Sequence, residues 1–134
     1  MKYMLDTNTC IFLIKRNPEV MSSYAAKKSE GIVISSIVLA ELEFGVCNST
    51  AYEKNKANLL AFLSLVEILS FNGAAATEYG NIRADLNRKG TPIGFLDTLI
   101  AAHAKSKGLV IVTNNIREFG RVEGLEVEDW TAAA

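Results

Sequence analysis

Three short runs of unbroken apolar character set the tightest limit on how this chain folds: residues 2–6 (Lys-Tyr-Met-Leu-Asp), 31–35 (Gly-Ile-Val-Ile-Ser) and 109–113 (Leu-Val-Ile-Val-Thr). A strand with one wet face alternates apolar and polar residues, and these do not. Each is therefore expected as a strand covered on both faces, the signature of a parallel sheet. Parallel neighbours cannot be joined by tight turns, so the segments between them must supply crossovers. Those segments carry helical periodicity: 9–16, 18–29 with proline in its first turn, 36–47, 52–66, 74–89 and 96–107. Residues 66–70 read as a weaker strand and 125–128 as an edge. In 52–66, Tyr52, Leu59, Phe62, Leu63 and Val66 share one face, whereas Leu60 and Leu65 lie off it. Ala75, Tyr79, Ile82 and Leu86 form the inner stripe of 74–89, which Gly90 and Pro92 stop. The 96–107 segment is apolar nearly all round and is expected at the centre of the packing. Strands alternating with helices predict an α/β sandwich.

At 134 residues the chain fits one domain with a substantial core, expected over residues 1–131. Ala132-Ala133-Ala134 is expected to be a tail outside that domain, of native or cloning origin. No apolar stretch approaches the ~20 residues that cross a bilayer. Asp6 interrupts the first apolar run too early for a signal peptide. Cys10 and Cys47 lack metal-ligand spacing, which fits a reduced, cytoplasmic protein. The net charge of −1 gives no hint of a nucleic-acid partner, but its distribution is uneven. Residues 118–129 hold five acids against Arg121 alone, leaving 13 basic and 10 acidic residues elsewhere. If acids of that remainder bind metal, the surrounding face is more basic than the total implies; an ordinary solvated surface fits the charges equally well.

Ligands in parallel sheets bind beyond the carboxyl ends of the strands, and two such ends carry polar groups: Asp6-Thr7-Asn8 and Thr113-Asn114-Asn115. Three acids also sit in unusually apolar company. Asp6 closes Tyr3-Met4-Leu5, Glu41 follows Ile37-Val38-Leu39-Ala40, and Asp97 lies between Phe95-Leu96 and Leu99-Ile100. A lone buried carboxylate is costly unless paired, protonated or bound to a cation, and oxygen ligands favour a hard divalent ion. Each acid also has a structural reading. Asp6 fits a helix N-cap, although Thr7 and Asn8 could serve instead. Periodicity does not choose between Glu41 and Glu43 for the inward position. Asp97 suits the positive end of a helix dipole. Glu118, on its own pattern, reads as a solvated charge, and the single His103 as a hydrogen-bonded core residue. No serine or cysteine occupies a nucleophile motif and no glycine-rich phosphate loop occurs.

Five segments in order carry a family resemblance: Tyr3-Met4-Leu5-Asp6-Thr7-Asn8, Leu39-Ala40-Glu41-Leu42-Glu43-Phe44-Gly45, Gly90-Thr91-Pro92-Ile93-Gly94, Leu96-Asp97-Thr98-Leu99-Ile100-Ala101-Ala102-His103-Ala104 and Val112-Thr113-Asn114-Asn115-Ile116-Arg117-Glu118-Phe119. Together they resemble a PIN-domain ribonuclease, and within that family the VapC toxins of bacterial type II toxin–antitoxin pairs. The likeness extends to Gly124-Leu125 and Asp129-Trp130. It implies a PIN-like three-layer sandwich, a central, mainly parallel sheet with helices on both faces. It also implies that Asp6, Glu41 rather than Glu43, and Asp97 bind Mg²⁺ or Mn²⁺. Thr113 matches a hydroxyl that orders the site, and Asn8 a residue that orients the first aspartate. The fourth acidic position of many PIN domains is here Asn115, which offers only a neutral oxygen; Glu118 stands close enough in sequence to supply the missing charge.

The activity so implied is metal-dependent hydrolysis of RNA phosphodiesters, with Asp6, Glu41, Asp97, Thr113, Asn115 and Glu118 as site residues, leaving a 3′-hydroxyl and a 5′-phosphate. The expected substrate is tRNA, with the anticodon region of initiator tRNA the narrower expectation. Lys15, Arg16, Arg83, Arg88 and Lys89 are candidates for backbone contacts. The resemblance further implies a VapB-type antitoxin whose C-terminal segment lies in a groove between 36–47 and 52–66. It implies a homodimer within a larger toxin–antitoxin complex, and operator DNA contacted only through the antitoxin. Leu60 and Leu65 fit a partner contact or a broad buried face alike. Two rivals remain: a receiver-type domain, which lacks here its paired strand-one acids and late lysine, and a catalytically silent PIN domain, which Asn115 favours.

Overall fold

Tyr3–Leu5 (β1) forms the middle of a five-stranded sheet in the computed structural model, which describes residues 1–131. The 132–134 tail lies outside the described residues. Ile32–Ser35 (β2) pairs one side of β1, with Tyr3 opposite Ile32, and Val110–Val112 (β4) the other, with Tyr3 opposite Val110. Glu67–Leu69 (β3) and Val127–Glu128 (β5) complete the edges in the order β3-β2-β1-β4-β5. Every ladder is parallel, so the sheet is wholly rather than mainly parallel. All residues of β1, β2 and β4 are buried. Because successive side chains point to opposite faces, both faces of these strands are covered.

The helices are Thr7–Ile14 (α1), Pro18–Lys27 (α2), Ser36–Cys47 (α3), Tyr52–Leu63 (α4), Gly73–Arg88 (α5), Phe95–Ser106 (α6) and Ile116–Phe119 (α7). Differences from the sequence expectation fall at their ends. α1 begins at Thr7 because Asp6 caps it, and β1 stops at Leu5 for the same reason. α2 gives way at Lys28–Glu30 to one 3₁₀ turn, and Gly31 then takes φ 90°, where a Cβ would stand 2.8 Å from the Met1 Cα. α4 ends three residues before position 66 because the chain must turn to reach β3. The four-residue α7 is barely one helical turn, too short for an apolar stripe to recur and mark it in the sequence.

α6 occupies the central place its composition predicts, with Thr98 and all of Ile100, Ala101, Ala102, His103 and Ala104 buried. α5 packs its Ala75, Ile82 and Leu86 inward, while Tyr79 remains half-buried. The off-stripe Leu60 and Leu65 of the α4 region are exposed, at 57% and 51%. Both cysteines are free, Cys10 buried and Cys47 exposed. Among the described residues, no helix is long and apolar enough to cross a membrane.

Candidate active site

The site is built where β1 and β4 end. Asp6 leaves β1 in extended conformation, and one carboxylate oxygen accepts the Thr9 amide at 2.8 Å, capping α1. The structural and functional readings of this residue thus coexist, since capping engages a single oxygen. The Asp6 backbone amide donates to the Val112 carbonyl at 3.0 Å, and the Thr9 hydroxyl donates to that same carbonyl at 3.0 Å. These bonds pin the start of α1 against the end of β4. Asp6 is 5% exposed, and burial pushes its carboxyl above the ordinary range while Thr113 and Thr9 pull it back. Asn8, which the resemblance implied would orient Asp6, is exposed; Thr9 and Thr113 perform that task.

Glu41 and Glu43, indistinguishable by periodicity, separate cleanly in space. Glu41 accepts the Thr7 hydroxyl at 2.8 Å and so turns toward the start of α1. Glu43 turns to α4, where the Lys56 ammonium meets its two oxygens at 2.7 and 3.0 Å. Asp97 lies in the first turn of α6 with no side chain capping the helix ahead of it. Its carboxyl is raised by burial and then by Glu118, Asp6 and Glu41, with Asn115 opposing. The Asn115 amide nitrogen lies 3.4 Å from an Asp97 oxygen, a weak contact. Thr113 is fully buried and its hydroxyl accepts the Asn115 amide at 2.9 Å, holding the turn from β4 into α7.

Carboxylates on β1–α1, α3 and α7 therefore converge on Asp97 of α6 closely enough for their charges to raise it. Glu118 is half-buried and bears on Asp97, rather than standing as the solvated charge its local pattern indicated. Among the described residues, none of the four enters an ion pair, while Lys56 is committed to Glu43 and Lys89 to Asp85 and Glu123. The same residues do not close into a ready-made chelate: among those described, no three acidic, histidine or cysteine side chains are disposed to grip one ion. Oxygen donors, uncompensated charge and an open arrangement suit a hard cation that keeps part of its water shell. Gly94 borders Asp97: a Cβ there would stand in ordinary contact, 3.8 Å from an Asp97 oxygen.

From Thr7 and Glu41 a groove of ≈ 300 Å³ runs between α1, α3 and α4, with Ile11, Leu42, Gly45 and Leu59 on its walls and Lys15 at its lip. It involves α1 as well as the α3–α4 pair that the sequence indicated. Of the other basic candidates, Arg83 bonds Tyr79, and Arg88 and Lys89 face Asp85. His103 is core, as expected: its Nδ1 lies 2.7 Å from the Ser35 hydroxyl, its Nε2 has no partner, and burial lowers its pKa.

Three kinds of comparison agree with this geometry. The model of the PIN domain family matches residues 3–125. A tRNA(fMet)-specific endonuclease VapC of Salmonella typhimurium is 50% identical over 130 residues, covering 97% of this chain and 98% of that protein. Ribonuclease VapC2 of Rickettsia felis is 44% identical, with 97% and 98% covered. Among solved structures, the chain resembles VapBC2 of Rickettsia felis bound to a DNA fragment from its promoter, with a TM-score of 0.93 at 42% identity, covering 97% of this chain and 99% of that one. It also resembles DNA-bound VapBC of Salmonella typhimurium, with a TM-score of 0.92 at 49% identity and coverage of 97% and 98%.

Proposed function

The chain belongs to the PIN domain family, and from that membership we propose that it is the endoribonuclease toxin of a VapBC-type toxin–antitoxin pair, hydrolysing RNA phosphodiesters with Mg²⁺ or Mn²⁺. One observation carries the chemistry: the Asp97 carboxyl is raised by burial and then by Glu118, Asp6 and Glu41, which arrive from separate elements, and among the described residues none of the four enters an ion pair. In this reading Asp6, Glu41 and Asp97 hold the ion, and Glu118 restores the charge that Asn115 lacks. When bound, the ion eases deprotonation of the attacking water and offsets charge on the phosphoryl oxygens and the leaving group. Thr9 and Thr113 keep Asp6 fixed and oppose the rise that burial imposes on its carboxyl. Thr7 holds Glu41 toward the cleft. The Thr113 hydroxyl sets the turn that brings Asn115 beside Asp97.

The name of the Salmonella relative supports tRNA, and initiator tRNA in particular, as the substrate class. The VapBC complexes that the chain resembles support a VapB antitoxin as its partner. The α1–α3–α4 groove leads to Glu41, so an antitoxin segment lying there could bring an arginine to the carboxylates in place of the ion. Those complexes carry DNA, which fits operator contact through the antitoxin, a homodimeric toxin within the assembly, and a cytoplasmic site of action.

Incubation of the purified protein with total tRNA in Mg²⁺, Mn²⁺ or EDTA tests the reading. Cleavage in the first two and none in EDTA is expected, with 5′-phosphate ends on the products. Asp97→Asn should lower the rate by ~10²-fold or more. The Asn115 amide on Asp97 favours a second reading, a silent domain that binds RNA without cutting it. RNA retention without cleavage in every metal would select that alternative.

A further inference from the structure

Between α5 and the start of α6 lies a notch of ≈ 130 Å³ that shares no lining residue with the α1–α3–α4 groove. Its walls are aromatic and cationic. Phe95 is 62% exposed, an unusual position for a phenylalanine two residues from a buried-site carboxylate. Tyr79 meets it edge-on, with ring centroids 6.0 Å apart and planes at 75°. The Arg83 guanidinium donates to the Tyr79 hydroxyl at 2.9 Å and lies 6.0 Å from the ring centroid, so its plane is already oriented by an aromatic neighbour. Among the described residues Arg83 takes part in no ion pair. Asn87 adds an amide, a group with both donors and an acceptor.

The notch adjoins the reactive end of the cleft. Ile93 and Phe95, both on its wall, flank Gly94, whose missing Cβ would stand 3.8 Å from an Asp97 oxygen. Thr98, which follows Asp97 in α6, also lines the notch, so a group seated on Phe95 rests on the same first turn of α6 that carries Asp97. An exposed aromatic face with an adjacent guanidinium and an amide edge is the chemistry that holds unpaired bases of RNA, by stacking and by hydrogen bonds to the base edge. The size of the notch suits one planar ring rather than a helix.

We propose that this notch is a nucleobase-binding subsite, in which Phe95 stacks an unpaired base next to the scissile phosphate while Arg83 and Asn87 meet its edge. The assignment rests on the nuclease reading for the identity of the ligand, and it makes Phe95 a specificity determinant. It implies that an RNA loop, whose bases splay outward, is cut in preference to a duplex, whose bases are stacked away.

The test uses a labelled anticodon stem-loop of tRNA(fMet) as probe, its binding followed by fluorescence anisotropy in EDTA and its cleavage followed in Mn²⁺. Phe95→Ala should raise Kd and KM roughly 5- to 30-fold, the range that stacking of one base on an aromatic ring supports. Phe95→Trp should restore them, and Arg83→Ala should weaken binding in the same direction. Replacing the base beside the cut by an abasic site should weaken binding to the wild type and leave Phe95→Ala indifferent. An unchanged Kd in Phe95→Ala overturns the subsite whatever the cleavage assay shows. A fall from dimer to monomer by light scattering in Phe95→Ala assigns the surface to a second copy and overturns it too. If the wild type cuts nothing while Kd still depends on Phe95, the nuclease reading fails and the subsite stands.

Discussion

Asp97 shows how the cleft sets its own conditions for work. Burial and the charges of Glu118, Asp6 and Glu41 raise its carboxyl above the ordinary value of 3.8, and burial raises Asp6 likewise. A carboxyl raised in the folded state holds its proton more tightly there than in the unfolded chain. Its stabilising effect is complete below pH 3.8 and is lost as pH rises through the raised value, so at neutral pH the cluster strains the fold. Asp97→Asn should therefore raise Tm at pH 7 by about 2–5 °C, a gain that disappears under acid, as differential scanning calorimetry would register. Adding Mn²⁺ should raise Tm in the wild type more than in Asp97→Asn, because an ion held by the native cluster stabilises by mass action. An equal response to Mn²⁺ in both proteins would remove Asp97 from the ligand set. The cleavage rate should also fall as pH drops through the raised carboxylate range, since the ligands must be ionised to bind.

At the scale of elements, Ser35 joins three parts of the fold. It ends β2, its hydroxyl caps α3 through the Ile37 amide at 3.1 Å, and it meets His103 of α6 at 2.7 Å. Ser35→Ala removes a cap and leaves a buried imidazole nitrogen without its partner, a loss of roughly 2 kcal/mol measurable by urea denaturation. Burial lowers the His103 pKa below 6.5, so its contribution is present above that value and is lost as pH falls below it. His103→Gln should flatten the decline in stability as pH falls below 6.5. The elements themselves were largely legible: the non-alternating runs at β1, β2 and β4 meant double-sided burial, and the all-round apolar α6 meant a central helix. The site was legible only in part, for a physical reason. Asp6 and Thr113 stand at strand ends, which local pattern marks, whereas the inward choice of Glu41 over Glu43 depends on Thr7 and Lys56, each brought in by another helix. Thr9 and Phe95 carried no local signal at all, because their importance comes from residues that other elements bring beside them.

On the scale of the whole molecule, acids and groove are one continuous surface, with Glu41 and Thr7 belonging to both. A partner that fills the groove can therefore reach the reactive cluster without distorting the fold. Gly45 is the point at which this can be tried. It lies in the last turn of α3 on the groove wall, and a Cβ added there meets nothing within 4 Å. Glycine inside a helix costs about 1 kcal/mol relative to alanine, and no close contact or positive φ at this position requires it. The space it leaves is thus the remaining physical reason for a small residue. Gly45→Ala should raise stability by roughly 0.5–1 kcal/mol, read from the urea midpoint. Gly45→Trp, projecting a large ring into the same space, should weaken the complex with a VapB-type antitoxin by ~10-fold or more by calorimetric titration, since a filled groove cannot seat the same apolar anchors. Undiminished antitoxin affinity in Gly45→Trp would place the partner on another face, with the exposed Leu60 and Leu65 the next surface to substitute.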